Sequence, residues 1–131
     1  MRSRNFLAIG GLFAGLGVAL GAFAAHGLKS LLSPAMIEVF NTGVLYQMLH
    51  ALAIIACALL VRLGGQRAEK YFFIAAICFI IGVLCFSGSL YALALTGMKW
   101  FGPITPLGGL SFILGWGSFV FAAIQINEEN K

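Results

Sequence analysis

The fold is decided by the stretch Tyr71–Leu95, which reads YFFIAAICFIIGVLCFSGSLYALAL. This run contains no charged residue, and it is longer than the ~20 residues that a helix needs to cross the ~30 Å hydrocarbon core of a bilayer. Three more apolar blocks lie on either side of it, at about Phe6–Ala25, Val44–Leu63 and Ile104–Ile126. Together the blocks predict four transmembrane segments.

The composition of the whole chain agrees with insertion in a membrane. Of its 131 residues 61% are hydrophobic and 9% are charged, whereas soluble domains carry about 25% charged residues. The apolar blocks lack the alternating pattern of barrel strands, and backbone groups in lipid must form hydrogen bonds within the protein, so the blocks should be helices. We therefore predict an all-α integral membrane protein, a four-transmembrane-helix bundle that occupies residues 1–131 as one domain.

The basic residues predict how this bundle is oriented. Six of the 8 lie before helix 1, around the connection of helices 2 and 3, or at the end of the chain: Arg2, Arg4, Arg62, Arg67, Lys70 and Lys131. Lys29 and Lys99 fall on the opposite side. Since Lys and Arg are enriched in cytoplasmic loops, both termini should be cytoplasmic, which is an N-in/C-in topology. The net charge of +4 then reflects this bias and contact with lipid, and it gives no reason to expect nucleic-acid binding.

Two segments near the N-terminus allow a choice of interpretation. Helix 1 could be a signal peptide ending near Ala22-Phe23-Ala24, but its apolar run is longer than the ~7–15 residues of a usual signal, so we expect it to be retained. Ser33-Pro34 is a favourable helix start. Residues 34–41 therefore form either a separate interfacial helix or the beginning of helix 2.

Glycines in helix 1 predict close packing against another helix. They form the patterns Gly11-x-x-x-Gly15 and Gly17-x-x-x-Gly21, and such small residues allow membrane helices to approach closely. The partner is either another helix of the same bundle or helix 1 of a second copy. Leucine at position 17 or 21 should then impair accumulation of the protein.

Polar residues inside the four segments are predicted to lie at a similar depth toward the outer side. They are His26, Tyr46, Gln47, His50, Ser87, Ser89, Tyr91 and Thr105. Such residues usually face the interior of a bundle. They form either hydrogen bonds between helices or a pocket for a solute, an ion or a lipid headgroup. We expect one network that joins His50 and Gln47 to Tyr91 or Ser89, with His26 at its outer mouth.

Other chemistry has little support in the sequence. All carboxylates lie in connections or the tail: Glu38, Glu69, Glu128 and Glu129. The cysteines form no CxxC pair and should pack as small apolar groups: Cys57, Cys78 and Cys85. Two histidines without such ligands nearby are a weak basis for a metal or haem site. We predict no catalytic residues, no metal and no cofactor. Trp116, deep in helix 4, should seek a partner for its indole N–H.

Several strings resemble those of the YgdD family of small inner-membrane proteins. They are GAFAAHGL at 21–28, YQxxHALA at 46–53, FSGSLY at 86–91 and TPLGG at 105–109, followed by Gly115-Trp116. The resemblance covers all four helices in order and implies a four-helix protein of the bacterial inner membrane, in a family of unknown function. We predict a small structural or accessory protein that contacts lipid, a second copy or another membrane protein. The alternative is a protein that binds or transports a small solute or ion, and an enzyme is the third interpretation.

Overall fold

The structure, a computed structural model, describes residues 3–126, which contain four long apolar helical spans. The helices are α1 (Ser3–His26), α2 (Pro34–Leu60), α3 (Gln66–Gly82), α4 (Gly88–Thr96) and α5 (Ile104–Ile124). A π-helical segment, Val83–Ser87, joins α3 to α4 without interruption, so that these two helices form the third span. Some residues of the sequence predictions lie outside the described part: Arg2, Glu128, Glu129 and Lys131.

The predicted spans exist, and the start of α2 settles one of the open alternatives. α2 begins at Pro34 and runs without a break, so residues 34–41 are its first turns and not a separate helix. The Ser33 side chain caps this start by accepting a hydrogen bond from the backbone N–H of Met36 at 3.2 Å. The second of the two alternatives is therefore correct, and the apolar block from residue 44 marks the part of α2 suited to lipid and not its first turns.

The contacts between helices place α2 and the third span at the centre of the bundle. α1 packs mainly against α2, and α5 packs mainly against α3 and the π-helical segment. At one end Phe6 of α1 meets Phe73 of α3 with ring centroids 5.4 Å apart. At the other end Ala24, Phe40 and Ala94 are buried together. Neighbouring spans are consequently antiparallel, and the start of α1 lies on the same side as the end of α5.

The surface of the bundle is mainly aliphatic, whereas its interior is rich in aromatic rings. The central cluster includes Phe72, Phe79 and Phe112, all buried between the third span and its neighbours. Large aliphatic side chains cover the outside, among them Leu107 and Ile113, which are 65% and 69% exposed. Such a surface is suited to contact with lipid hydrocarbon, and a folded soluble protein rarely exposes so large an apolar area.

Only part of the glycine pattern in α1 faces α2. A methyl group built at Gly17 would collide with the side chain of Met48, and one built at Gly21 would touch Val44 at 3.4 Å. A methyl group built at Gly11 or Gly15 would meet no other helix among the described residues within 4 Å. The second pattern therefore packs inside the bundle as predicted. The first pattern faces outward, because it lies on a different side of the helix.

Leucine at position 17 is expected to destabilise the protein by about 1–3 kcal/mol, because Gly17 is buried against Met48 and an added side chain overpacks the α1–α2 contact. Denaturant unfolding of the purified protein measures this change. Gly15→Leu is the matched control on the same helix and should unfold like the wild type within about 0.5 kcal/mol. Equal losses in both variants would contradict the packing described for α1.

Candidate functional site

A hydrogen-bonded group around Gln47 ties together three helices. The Gln47 amide Nε2 donates to the backbone carbonyl of Phe13 in α1 at 2.8 Å. The Tyr91 hydroxyl of α4 donates to Gln47 Oε1 at 2.6 Å. Gln47 itself lies on α2 and is 4% exposed. These contacts, the Gln47 group, hold the α1, α2 and α4 helices together where the surrounding packing is apolar.

A second group, the His50 group, joins α2 to α5. His50 Nδ1 lies 2.8 Å from the backbone carbonyl of Tyr46, and Trp116 Nε1 donates to His50 Nε2 at 3.0 Å. Because a carbonyl only accepts and an indole N–H only donates, the imidazole carries its proton on Nδ1 and is neutral. The ring also stacks on Phe112, with centroids 3.6 Å apart and planes at 13°. The indole of Trp116 has the partner that its depth predicted.

The filled hydrogen-bonding capacity of His50 limits what this residue can do. Both ring nitrogens are used by protein partners, and the side chain is 4% exposed. A metal ion or a proton could reach the Nε2 lone pair only after Trp116 had moved away. These contacts therefore make His50 a structural residue that holds α2 and α5 together.

The remaining predicted hydroxyl groups bond close to the π-helical segment. Ser87 Oγ donates to the carbonyl of Gly43 at 2.7 Å. Ser89 Oγ donates to the carbonyl of Phe86 at 2.9 Å and lies 2.7 Å from Thr105 Oγ1. Since the single Ser89 proton is used in the first contact, the Thr105 hydroxyl is the donor in the second. These bonds connect the third span to α2 on one side and to the start of α5 on the other.

The prediction of one network that contains both Gln47 and His50 is thus wrong. Gln47 does bond to Tyr91, but His50 belongs to a separate group and Ser89 bonds to Thr105. Positions three apart on a helix differ by about 60° in direction, which is enough to aim Gln47 and His50 at different neighbours.

His26, which was predicted at the outer mouth of the network, is exposed at the end of α1 and joins neither group. Tyr46 contributes its carbonyl to His50 and packs its ring 4.6 Å from Phe86.

The contact of α3 with α5 contains polar bonds that the sequence interpretation did not assign. Ser111 Oγ donates to the carbonyl of Cys78 at 2.7 Å, and Ser118 Oγ donates to that of Tyr71 at 2.8 Å. Both serines share one face of α5 with the glycines at positions 108 and 115. The seven-residue spacing of each pair was the available signal, because small residues at that spacing line a helix–helix contact.

Glycines of two neighbouring helices pack closely against the π-helical segment and the residues that follow it. A methyl group built at Gly108 of α5 would lie 2.7 Å from Phe86 Cα and would also collide with the Phe86 backbone nitrogen. On the other side, one built at Gly43 of α2 would lie 2.7 Å from the Tyr91 ring and 3.3 Å from the Ser87 carbonyl oxygen. Glycines on two helices therefore make room for the wider π turn.

An apolar groove of about 390 Å³ opens between α1 and the third span, beside the Gln47 group. We call it the α1–α4 groove. Its lining consists of Phe13, Leu16, Ala19, Leu20, Phe23, Gln47, Val83, Leu84, Gly88 and Tyr91. Its volume lies within the ~300–1,000 Å³ usual for ligand pockets, which typically combine apolar walls with a few polar groups. The groove is the candidate binding site of this molecule.

The described residues show no group of three His, Cys, Asp or Glu side chains that could hold a metal ion. Each of the buried polar side-chain atoms in residues 3–126 has a hydrogen-bond partner. What the fold and its polar groups define is therefore a class: a small helical membrane protein of four spans, whose intramembrane polar residues bond to one another and to helix carbonyls.

Comparison with known proteins places this class in a family. Residues 20–109 match the family described as "Protein of unknown function (DUF423)". The chain is 40% identical over 121 residues to a UPF0382 membrane protein of Haemophilus influenzae, covering 92% of both chains. It is 40% identical to the UPF0382 membrane protein YwdK of Bacillus subtilis, covering 92% of this chain and 96% of YwdK.

The UPF0382 inner membrane protein YgdD of Escherichia coli is 34% identical over 129 residues, which are 98% of this chain and 96% of YgdD. The chain belongs to the DUF423 (UPF0382) family, and the resemblance found in its sequence is confirmed. It is a membrane protein like these relatives. No solved structure matches it significantly.

Proposed function

We propose that this protein acts without catalysis, by contacting lipid or another protein within the membrane. The observation that carries this proposal is the internal use of the polar side chains. Gln47 and His50 bond to protein partners, whereas the exposed surface is aliphatic. A transport path needs polar groups that are free to exchange partners with a solute, and a surface made for lipid does not.

We further propose that the start of α1 and the end of α5 face the cytoplasm. Arg62, Arg67 and Lys70 lie at that end of the bundle, and Lys29 and Lys99 lie at the other. The excess of positive charge supports this orientation.

Cysteine labelling tests the orientation. On a background without the native cysteines, Lys99→Cys should react with a membrane-impermeant maleimide in intact cells. Gln66→Cys should react only after the membrane is permeabilised. Labelling of Gln66→Cys alone in intact cells would reverse the proposed orientation.

Flux and lipid measurements on the same purified protein test the proposed function. Reconstituted into vesicles that contain a pH-sensitive dye, the protein should leave proton and potassium permeability at the level of protein-free vesicles. Native mass spectrometry of the detergent-purified protein should show retained lipid. A saturable flux that is lost in His50→Ala would contradict the proposal and favour a small-solute or ion transporter.

A further inference from the structure

The α1–α4 groove lies beside the middle of α2, and its lining carries no charged side chain. Gln47 is the middle residue of α2, about 20 Å along the helix axis from either end. None of the described residues that line the groove is charged. The charged headgroup of a phospholipid would find no charged partner in this lining, so only the hydrocarbon tail of a phospholipid suits the groove. The groove therefore fits an uncharged occupant.

One polar atom in this groove has unused capacity. The Gln47 amide carries two N–H groups, and one of them donates to the Phe13 carbonyl. Among residues 3–126 the other N–H has no acceptor, although Gln47 is 96% buried, the complement of its 4% exposure. Because the Phe13 carbonyl can only accept, it fixes which end of the amide is the donor, and the Tyr91 hydroxyl donates to the other end. An unpaired N–H is costly in a medium without water, and a phospholipid tail offers it no acceptor.

We propose that the α1–α4 groove binds an uncharged, lipid-soluble molecule that carries a carbonyl oxygen on an apolar ring or chain. The carbonyl accepts the free N–H of Gln47, and the apolar part lies along α1 between Phe13 and Phe23. This inference rests on the proposed function, since it names the class of lipid that the protein contacts. The aromatic and aliphatic walls supply most of the contact area, while the single donor selects a carbonyl compound over a plain hydrocarbon.

A photoreactive ketone tests this assignment directly. The probe is benzophenone with a decyl chain, because its carbonyl is both the acceptor and the group that inserts into nearby C–H bonds on illumination. The full chain is reconstituted in phosphatidylcholine vesicles, and adducts are measured by intact mass and peptide mapping. We expect one adduct per chain, located in the groove-facing parts of α1 or in Val83–Tyr91.

Two competitors that do not react on illumination distinguish a groove that binds a carbonyl group from a groove that binds any apolar chain. Cyclohexyl decyl ketone and undecylcyclohexane differ only by a carbonyl in place of a methylene. Because one hydrogen bond favours the ketone, it should compete about fivefold better than the hydrocarbon. Equal competition would overturn the proposal and show a groove filled by ordinary acyl chains.

Substitutions that fill the groove provide a second test of the binding site. Ala19→Phe narrows it from α1 without touching the Gln47 bonds, and Gly88→Leu narrows it from α4, where a Cβ meets no described atom within 4 Å. Both should abolish the mapped adduct. Ala22→Phe and Gly117→Leu place the same side chains on exposed positions outside the groove and should leave it unchanged.

An adduct that persists in both Ala19→Phe and Gly88→Leu would overturn the assignment of the groove as the binding site. If the ketone site fails while lipid is retained and the vesicles stay tight, only this inference is lost. If a saturable flux appears, the proposed function fails as well.

Discussion

Alanine at position 108 is expected to lower the free energy of unfolding by about 1–3 kcal/mol, although only one methyl group is added. The new Cβ would lie 2.7 Å from Phe86 Cα and would collide with the Phe86 backbone nitrogen. A flexible side chain could move aside, whereas this backbone belongs to the π-helical segment that Ser87 anchors to α2. Chemical unfolding of the purified protein in mixed micelles measures the loss.

The neighbouring residue provides the matched control. A methyl group at Gly109 would lie 3.8 Å from the Phe86 ring, which is ordinary van der Waals contact. Gly109→Ala should therefore be neutral or slightly stabilising, since alanine favours a helix by up to about 1 kcal/mol over glycine. A loss of stability in Gly109→Ala equal to that in Gly108→Ala would contradict the close approach of α5 to the third span.

Alanine in place of His50 is expected to have the largest effect among the polar residues, about 2–4 kcal/mol of unfolding free energy. The change removes a buried ring that stacks on Phe112, and it leaves the Trp116 indole N–H without its acceptor. Unfolding of His50→Ala beside His26→Ala measures it. His26 is exposed, so its variant should differ from the wild type by no more than about 0.5 kcal/mol.

A double-mutant cycle isolates the bond between the two side chains. Trp116→Phe removes the donor while it keeps a large ring, and it should cost about 1 kcal/mol. In the double variant with His50→Ala the losses should fall short of additivity by about 0.6 kcal/mol, the average for hydrogen bonds between membrane helices. Strict additivity would contradict the His50–Trp116 contact.

The spans and their general packing could be predicted because each depends on the properties of a single segment. Tyr71–Leu95 is long and uncharged, so it must cross the membrane whatever its neighbours are. The need of Trp116 for a partner followed in the same way from its depth. The pairing of Gln47 with Tyr91 was predictable as well, since both are polar groups at similar depth on different helices.

What the sequence could not provide is the direction in which each side chain points. Gln47 and His50 are close in sequence, and only the positions of the surrounding helices place one beside α1 and the other beside α5. The π-helical segment Val83–Ser87 has no local signal of its own, because it exists where Gly43 and Gly108 leave room for it. The groove is likewise a property of how α1 lies beside the third span.

The most direct measurement is nitrogen NMR of His50 in lipid bilayers, using ¹⁵N-labelled histidine and tryptophan in the His26→Gln variant so that one histidine remains. We predict a neutral ring with a protonated Nδ1 and an unprotonated Nε2 that is correlated with the Trp116 indole N–H. The signals should not change when ions or solutes are added. A ring protonated on both nitrogens, the opposite tautomer, or an Nε2 signal that shifts with added ligand would contradict a polar interior whose groups bond to one another.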